Sequence, residues 1–215
     1  MKETKGSETT FPTSIFSSKN VILVDADYVD KVAFDLTVNF ERMIGRRIPQ
    51  ADMARWLECV AMDGGLRPQT SDILHQTSDN SHPTSIQVVL LHQHPGMENF
   101  APGDFSELDG KAFSGPLGEF LISSIQVEPL TNMERLFSES LQVAVHATEV
   151  ERLIVVPDAE HYYNMVREAL RHADDDKRIT LLAMQPLEGG PFRQDILGYS
   201  LMAALGIKSE EIKAE

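Results

Sequence analysis

Two periods of apolar spacing alternate along the chain. Short continuous runs of β-branched residues and leucine occur at Val21–Val24, Ile86–Leu91 and Leu153–Val156. This is the pattern of strands buried on both faces of a parallel sheet. Phe120–Val127 and Ile179–Met184 read as two further strands. Between these runs apolar residues return every three or four positions. Val29, Val32, Ala33, Leu36, Phe40 and Met43 predict a helix over 28–44 that Gly45 stops. Met53, Trp56, Leu57, Val60 and Ala61 predict a second, opened by Pro49 and ended at Gly64–Gly65. Met133, Leu136, Phe137, Leu141 and Val145 mark a third over 133–147, capped by Thr131 or Asn132. Tyr162, Tyr163, Val166, Ala169 and Leu170 mark a fourth over 159–172, and a last helix runs from Pro191 through Leu205 to Gly206. The stretches 66–84 and 93–117 read as long loops, with a turn at Gly115–Gly118.

Strands alternating with helices predict a three-layer, Rossmann-like α/β sandwich with a mostly parallel five-stranded sheet. The expected organisation is a flexible tail at 1–18, one domain over 19–206 and a polar tail at 207–215.

Composition changes the picture in three ways. Nineteen basic against thirty-three acidic residues give a formal net charge of −14. That balance repels RNA and DNA at long range, so it disfavours a nucleic-acid partner without a local cation. The single cysteine, Cys59, excludes an internal disulfide and reads as a buried, inert thiol. No apolar run approaches the roughly 20 residues that span a bilayer, and the first residues lack the apolar middle of a signal peptide. The expectation is a cytoplasmic protein with no membrane association.

Candidate chemistry gathers where two apolar runs end in acids. Val21–Val24 leads into Asp25-Ala26-Asp27, and Leu153–Val156 leads through Pro157 into Asp158-Ala159-Glu160. In open α/β sheets ligands collect beyond the carboxyl ends of the strands, where strand order reverses. Residues two apart in a strand point the same way, so each acid pair could face one cavity. Converging carboxylates raise one another's pKa unless a cation neutralises them, and a hard divalent ion such as Mg²⁺ or Mn²⁺ suits them. The competing reading is that Asp27 and Asp158 each cap a following helix. His92 and His94, at a third strand's tip, would bring imidazole to the same edge or form a plain polar turn. His161 is a further proton carrier or an exposed first-turn residue. Arg46-Arg47 could take a phosphate or end a solvated helix. The last helix is apolar around most of its girth and is either buried or a homodimer contact.

The order of elements, with Asp25 in Val-Asp-Ala-Asp at the first strand's end and Asp158-Ala159-Glu160-His161 after the fourth, resembles the NYN branch of the PIN-like metal-dependent ribonucleases. The sequence as a whole is also similar to bacterial families without an assigned function. The NYN resemblance implies a PIN/NYN-like domain that hydrolyses phosphodiesters in RNA, with Asp25 and Asp158 catalytic. Asp25, Asp27, Asp158 and Glu160 would then hold the metal, with Glu139 as a loose stand-in for an acid opening the third helix. The chain departs from the family pattern in having Glu160 for the second Asp, no Lys-Gly at 136–141 and Val156-Pro157 before Asp158. Those departures leave a non-catalytic PIN-like domain acting in protein–protein assembly as the alternative.

Overall fold

Seven strands, rather than five, make up the main sheet of the computed structural model, which describes residues 16–68, 84–174 and 176–212. Most of the loop expected at 66–84, and Asp175 of the acidic run at 174–176, lie outside the described residues.

The chain runs β1 (Asn20–Asp25), α1 (Ala26–Ile44), β2 (Ala51–Asp52), α2 (Met53–Asp63), β3 (Ser85–His92), β4 (Phe100–Ala101), α3 (Phe105–Leu108), β5 (Ala112–Gly115) and β6 (Gly118–Gln126). It continues through α4 (Met133–His146), β7 (Arg152–Val156), α5 (Ala159–Leu170), β8 (Arg178–Ala183), β9 (Arg193–Ile196) and α6 (Leu197–Ala204) to a 3₁₀ turn at Ser209–Ile212. The sheet order is β5-β6-β3-β1-β7-β8-β9, and every pairing is parallel except β5 with β6. The two-residue strands β2 and β4 pair separately.

The two strands of the main sheet absent from the sequence reading are both edges. β5 (AFSG) and β9 (RQDI) carry no apolar run, because an edge strand has fewer buried side chains to specify. β9 occupies residues expected to open the last helix, so α6 starts later, at Leu197. Likewise α2 starts at Met53 rather than at Pro49, because Asp52 caps it by accepting from the Arg55 N–H at 2.9 Å.

Period-two alternation in β1 divides the core. Ile22 and Val24 pack with the buried faces of α1, α2 and α6, while Val21 and Leu23 pack with α4 and α5 on the other side. Helices therefore cover both faces, and the three-layer α/β arrangement holds. α6 is apolar nearly all round because Leu197, Leu201 and Ala204 are buried, chiefly against α2; Tyr199 is left exposed. α1 buries only its first half fully, and Met43, expected in its stripe, is exposed.

The packed body extends beyond 19–206 on both sides. Phe16 is buried, the Ser18 hydroxyl donates to the Ser85 carbonyl at 2.7 Å, and Ile207 is buried. Arg46 holds Glu211 through Nε at 2.7 Å and a second nitrogen at 2.9 Å. That pairing accounts for the arginine read as a possible phosphate binder.

Candidate functional site

From β1 the chain steps outward to β3 and β6, then α4 carries it back across to β7 on β1's other side. Strand order thus reverses between β1 and β7, where helices leave the strand tips in opposite directions and open a crevice. Register puts Asp25 opposite Leu91 and Val24 opposite Val156, so Asp25, Gln93 and Asp158 reach one level of the sheet edge. A groove of about 1230 Å³ opens there, lined among others by Asp25, Asp27, Tyr28, His94, Asp158 and Tyr162.

β1 ends at Asp25 because its side chain turns back to cap α1, accepting from the Tyr28 N–H at 3.0 Å. The strand does not persist to Asp27, so the two acids do not share a strand face. Asp25 follows the parity of Val21 and Leu23 toward the α4/α5 layer, where it accepts from the Tyr162 hydroxyl at 2.5 Å. The same hydroxyl accepts from the Asp158 N–H at 3.1 Å, so one phenol joins the β1 tip to the β7 tip. Asp25 is 3% exposed. Burial pushes its carboxyl up to about 6 against the pull of its Tyr162 and Tyr28 hydrogen bonds, and the charges of Asp27 and Asp158 push the same way.

Asp27, in the first turn of α1, reaches the opposite flank. It accepts from the Gln93 N–H at 2.6 Å and meets the His94 Nδ1 at 2.9 Å. Asp30, one turn on, accepts from the backbone N–H groups of Glu98 and Asn99. Together they clamp the segment after β3 as a wall of the groove. The Asp27 contact holds the His94 imidazolium above its usual range.

Asp158 caps α5 by accepting from the N–H groups of Glu160 and His161, and its second oxygen lies 2.7 Å from His161 Nδ1. Ligand atoms of Asp158, Glu160 and His161 lie within 4.8 Å of one another. Of the five metal-ligating candidates, Asp25, Asp27 and Asp158 line the groove, Glu160 sits beside it, and Glu139 is taken up by Arg135 at 2.8 Å on α4.

The His92/His94 pair divides. β3 ends at His92, whose ring stacks on Phe105 at 3.8 Å and whose Nδ1 meets the His94 carbonyl, while His94 turns to the groove. Sequence reasoning missed Tyr162 and Tyr28, which look like ordinary members of apolar helical stripes. The available signal was a tyrosine within four residues of Asp25 and of Asp158.

An acid-lined groove at the reversal point of a mostly parallel, three-layer α/β sheet defines the class of this protein. The chain belongs to a family of unknown function, DUF6621, whose model matches residues 14–212. Comparison with curated proteins and with solved structures finds no significant match.

Proposed function

We propose that the groove is a divalent-cation-dependent site for hydrolysing phosphodiesters of RNA, in a Rossmann-like domain of PIN/NYN-like type. The observation that carries this reading is the convergence of Asp25 and Asp158, from adjacent central strands, on one groove at the sheet's reversal point. The donors fit a cation: Asp158, Glu160 and His161 offer clustered ligand atoms, and Asp25 stands one phenol away. Imidazole among carboxylates suits Mn²⁺ better than Mg²⁺. When bound, such an ion neutralises charge developing on a phosphoryl oxygen.

The chain's own groups supply the proton chemistry. Asp25, with its carboxyl near 6, is poised to accept a proton from an attacking water at neutral pH. Tyr162 fixes Asp25 in place. His94 is oriented by the Asp27 carboxylate at Nδ1, which leaves its other ring nitrogen for proton exchange with the leaving oxygen. The test is cleavage of a single-stranded RNA oligonucleotide with Mn²⁺ or with EDTA. The parent cleaves only with Mn²⁺, and Asp25→Asn and Asp158→Asn each lose roughly 100-fold or more. A parent inert in Mn²⁺ overturns the reading.

The caps and the exposed apolar side chains favour the alternative, a non-catalytic PIN-like domain in protein assembly. Asp25 and Asp158 both serve as helix caps, and Phe34, in the groove lining, and Val38 are exposed one turn apart on α1. Exposed Tyr199 gives a homodimer through α6 a foothold. In that case sedimentation velocity shows a concentration-dependent dimer that Tyr199→Asp abolishes, and Mn²⁺ has no effect on the denaturation midpoint.

A further inference from the structure

Among the described residues, two buried side-chain polar atoms have no hydrogen-bond partner: the Trp56 indole N–H and the Tyr28 hydroxyl. Trp56 sits in the core, edge-on to Phe100 at 5.4 Å, and is not itself part of the groove lining. Tyr28 is 4% exposed, yet it lines the groove. An orphaned buried hydroxyl is costly, and phenylalanine would fill nearly the same volume without it. The packing of α1 therefore does not explain the oxygen.

Its surroundings narrow what it can bind. Asp25, Asp27 and Asp158 line the same groove as Tyr28. Its O–H and its lone pairs are both without a partner, and the lone pairs can take only a donor. Its complement is a donor that tolerates, or requires, a negative setting. The first hydration shell of a divalent cation is such a donor.

We propose that Tyr28 is a positioning residue for the divalent cation of this groove, its hydroxyl oxygen accepting a hydrogen bond from the ion's hydration water. This rests on the cation reading above and adds a residue that holds the ion without ligating it. Tyr162 is its counterpart with the opposite structural role, because its hydroxyl already has two partners, Asp25 and the Asp158 N–H.

The experiment compares the full chain with Tyr28→Phe and Tyr162→Phe, using Mn²⁺ alone as the probe. Denaturation midpoints are read in EDTA, and Mn²⁺ affinity is read by titration. Tyr28→Phe should match or exceed the parent midpoint in EDTA while binding Mn²⁺ roughly 10- to 100-fold more weakly, the size of loss typical of an outer-shell partner. Tyr162→Phe should lower the EDTA midpoint. A Tyr28→Phe midpoint below the parent's, or failure of that variant to fold, means that the hydroxyl has a structural partner and overturns the proposal. Parent-like Mn²⁺ affinity in a stable Tyr28→Phe overturns it too, while leaving the cation reading intact. A parent that does not bind Mn²⁺ sinks both.

Discussion

At the scale of single residues, Asp25 carries the tension in this molecule. A carboxylate is most expensive where water is excluded, and Asp25 lies between α1 and the α4/α5 layer with only two hydrogen bonds to its oxygens. Its native carboxyl keeps the proton up to about pH 6, against an ordinary value of 3.8. Between those values the native state binds more protons than the unfolded chain, so this group's stabilisation is complete below the unfolded value and fades as pH rises toward 6. The amount lost between about pH 4 and neutral pH is roughly 3 kcal/mol. Asp25→Asn keeps the shape and removes the charge. In EDTA it should be more stable than the parent at pH 8, by up to that amount, with the gap closing near pH 4. Asp63 is also pushed up to about 6, and His94 is raised, so the parent curve contains both. The difference between parent and variant isolates Asp25. An Asp25→Asn midpoint below the parent's at pH 8 would contradict the assignment. The acids were legible in the sequence because each ends an apolar run. The phenol that joins them was not, since Tyr162 meets Asp25 across 137 positions of chain.

At the scale of elements, local rules held where one side of a segment had to be buried and failed where none did. Asn132 caps α4 as expected, accepting from the Arg135 N–H at 2.9 Å, and β7 occupies the stretch its apolar run marked. The turn read at Gly115–Gly118 is real, but it is the tip of a hairpin whose first strand, β5, has an alternation too weak to read. Gly118 shows why that hairpin fixes its neighbour. With φ at +135°, a Cβ there would lie 2.0 Å from the Thr84 carbonyl oxygen, which accepts from the Glu119 N–H at the start of the β3–β6 pairing. Gly118→Ala should therefore destabilise the fold by roughly 1–3 kcal/mol, from backbone strain before any clash is counted. Urea denaturation checks it, and a loss within measurement error would show that the turn relaxes freely. Strand parity misled at His92 and His94, and at Asp25 and Asp27, for one reason. Each strand ends at the first residue of the pair, and alternation stops with the strand.

At the scale of the whole molecule, the formal charge of −14 bears on stability. Like charges packed into a compact body repel, and salt screens them with a Debye length of about 10 Å at 0.1 M. Raising NaCl from about 20 mM to about 300 mM should raise the thermal midpoint; a falling midpoint would mean that attractive pairs such as Arg46–Glu211 outweigh the repulsion. The same charge would repel a phosphodiester from the groove unless a cation masked the acids, which ties the proposed chemistry to metal. Among the described residues no helix is long and apolar enough to cross a membrane.

The sequence by itself determined the alternation of strands and helices, the two acid-ended central strands and the negative balance, because each follows from local periodicity or from counting. Tertiary structure alone decided the seven-strand order, the edge strands, the loop clamped by Asp27 and Asp30, and the two phenols brought to the acids. Those depend on which distant segments become neighbours once both faces of the sheet are covered. Apolar spacing specifies the face that a side chain seeks, and leaves open what it meets there.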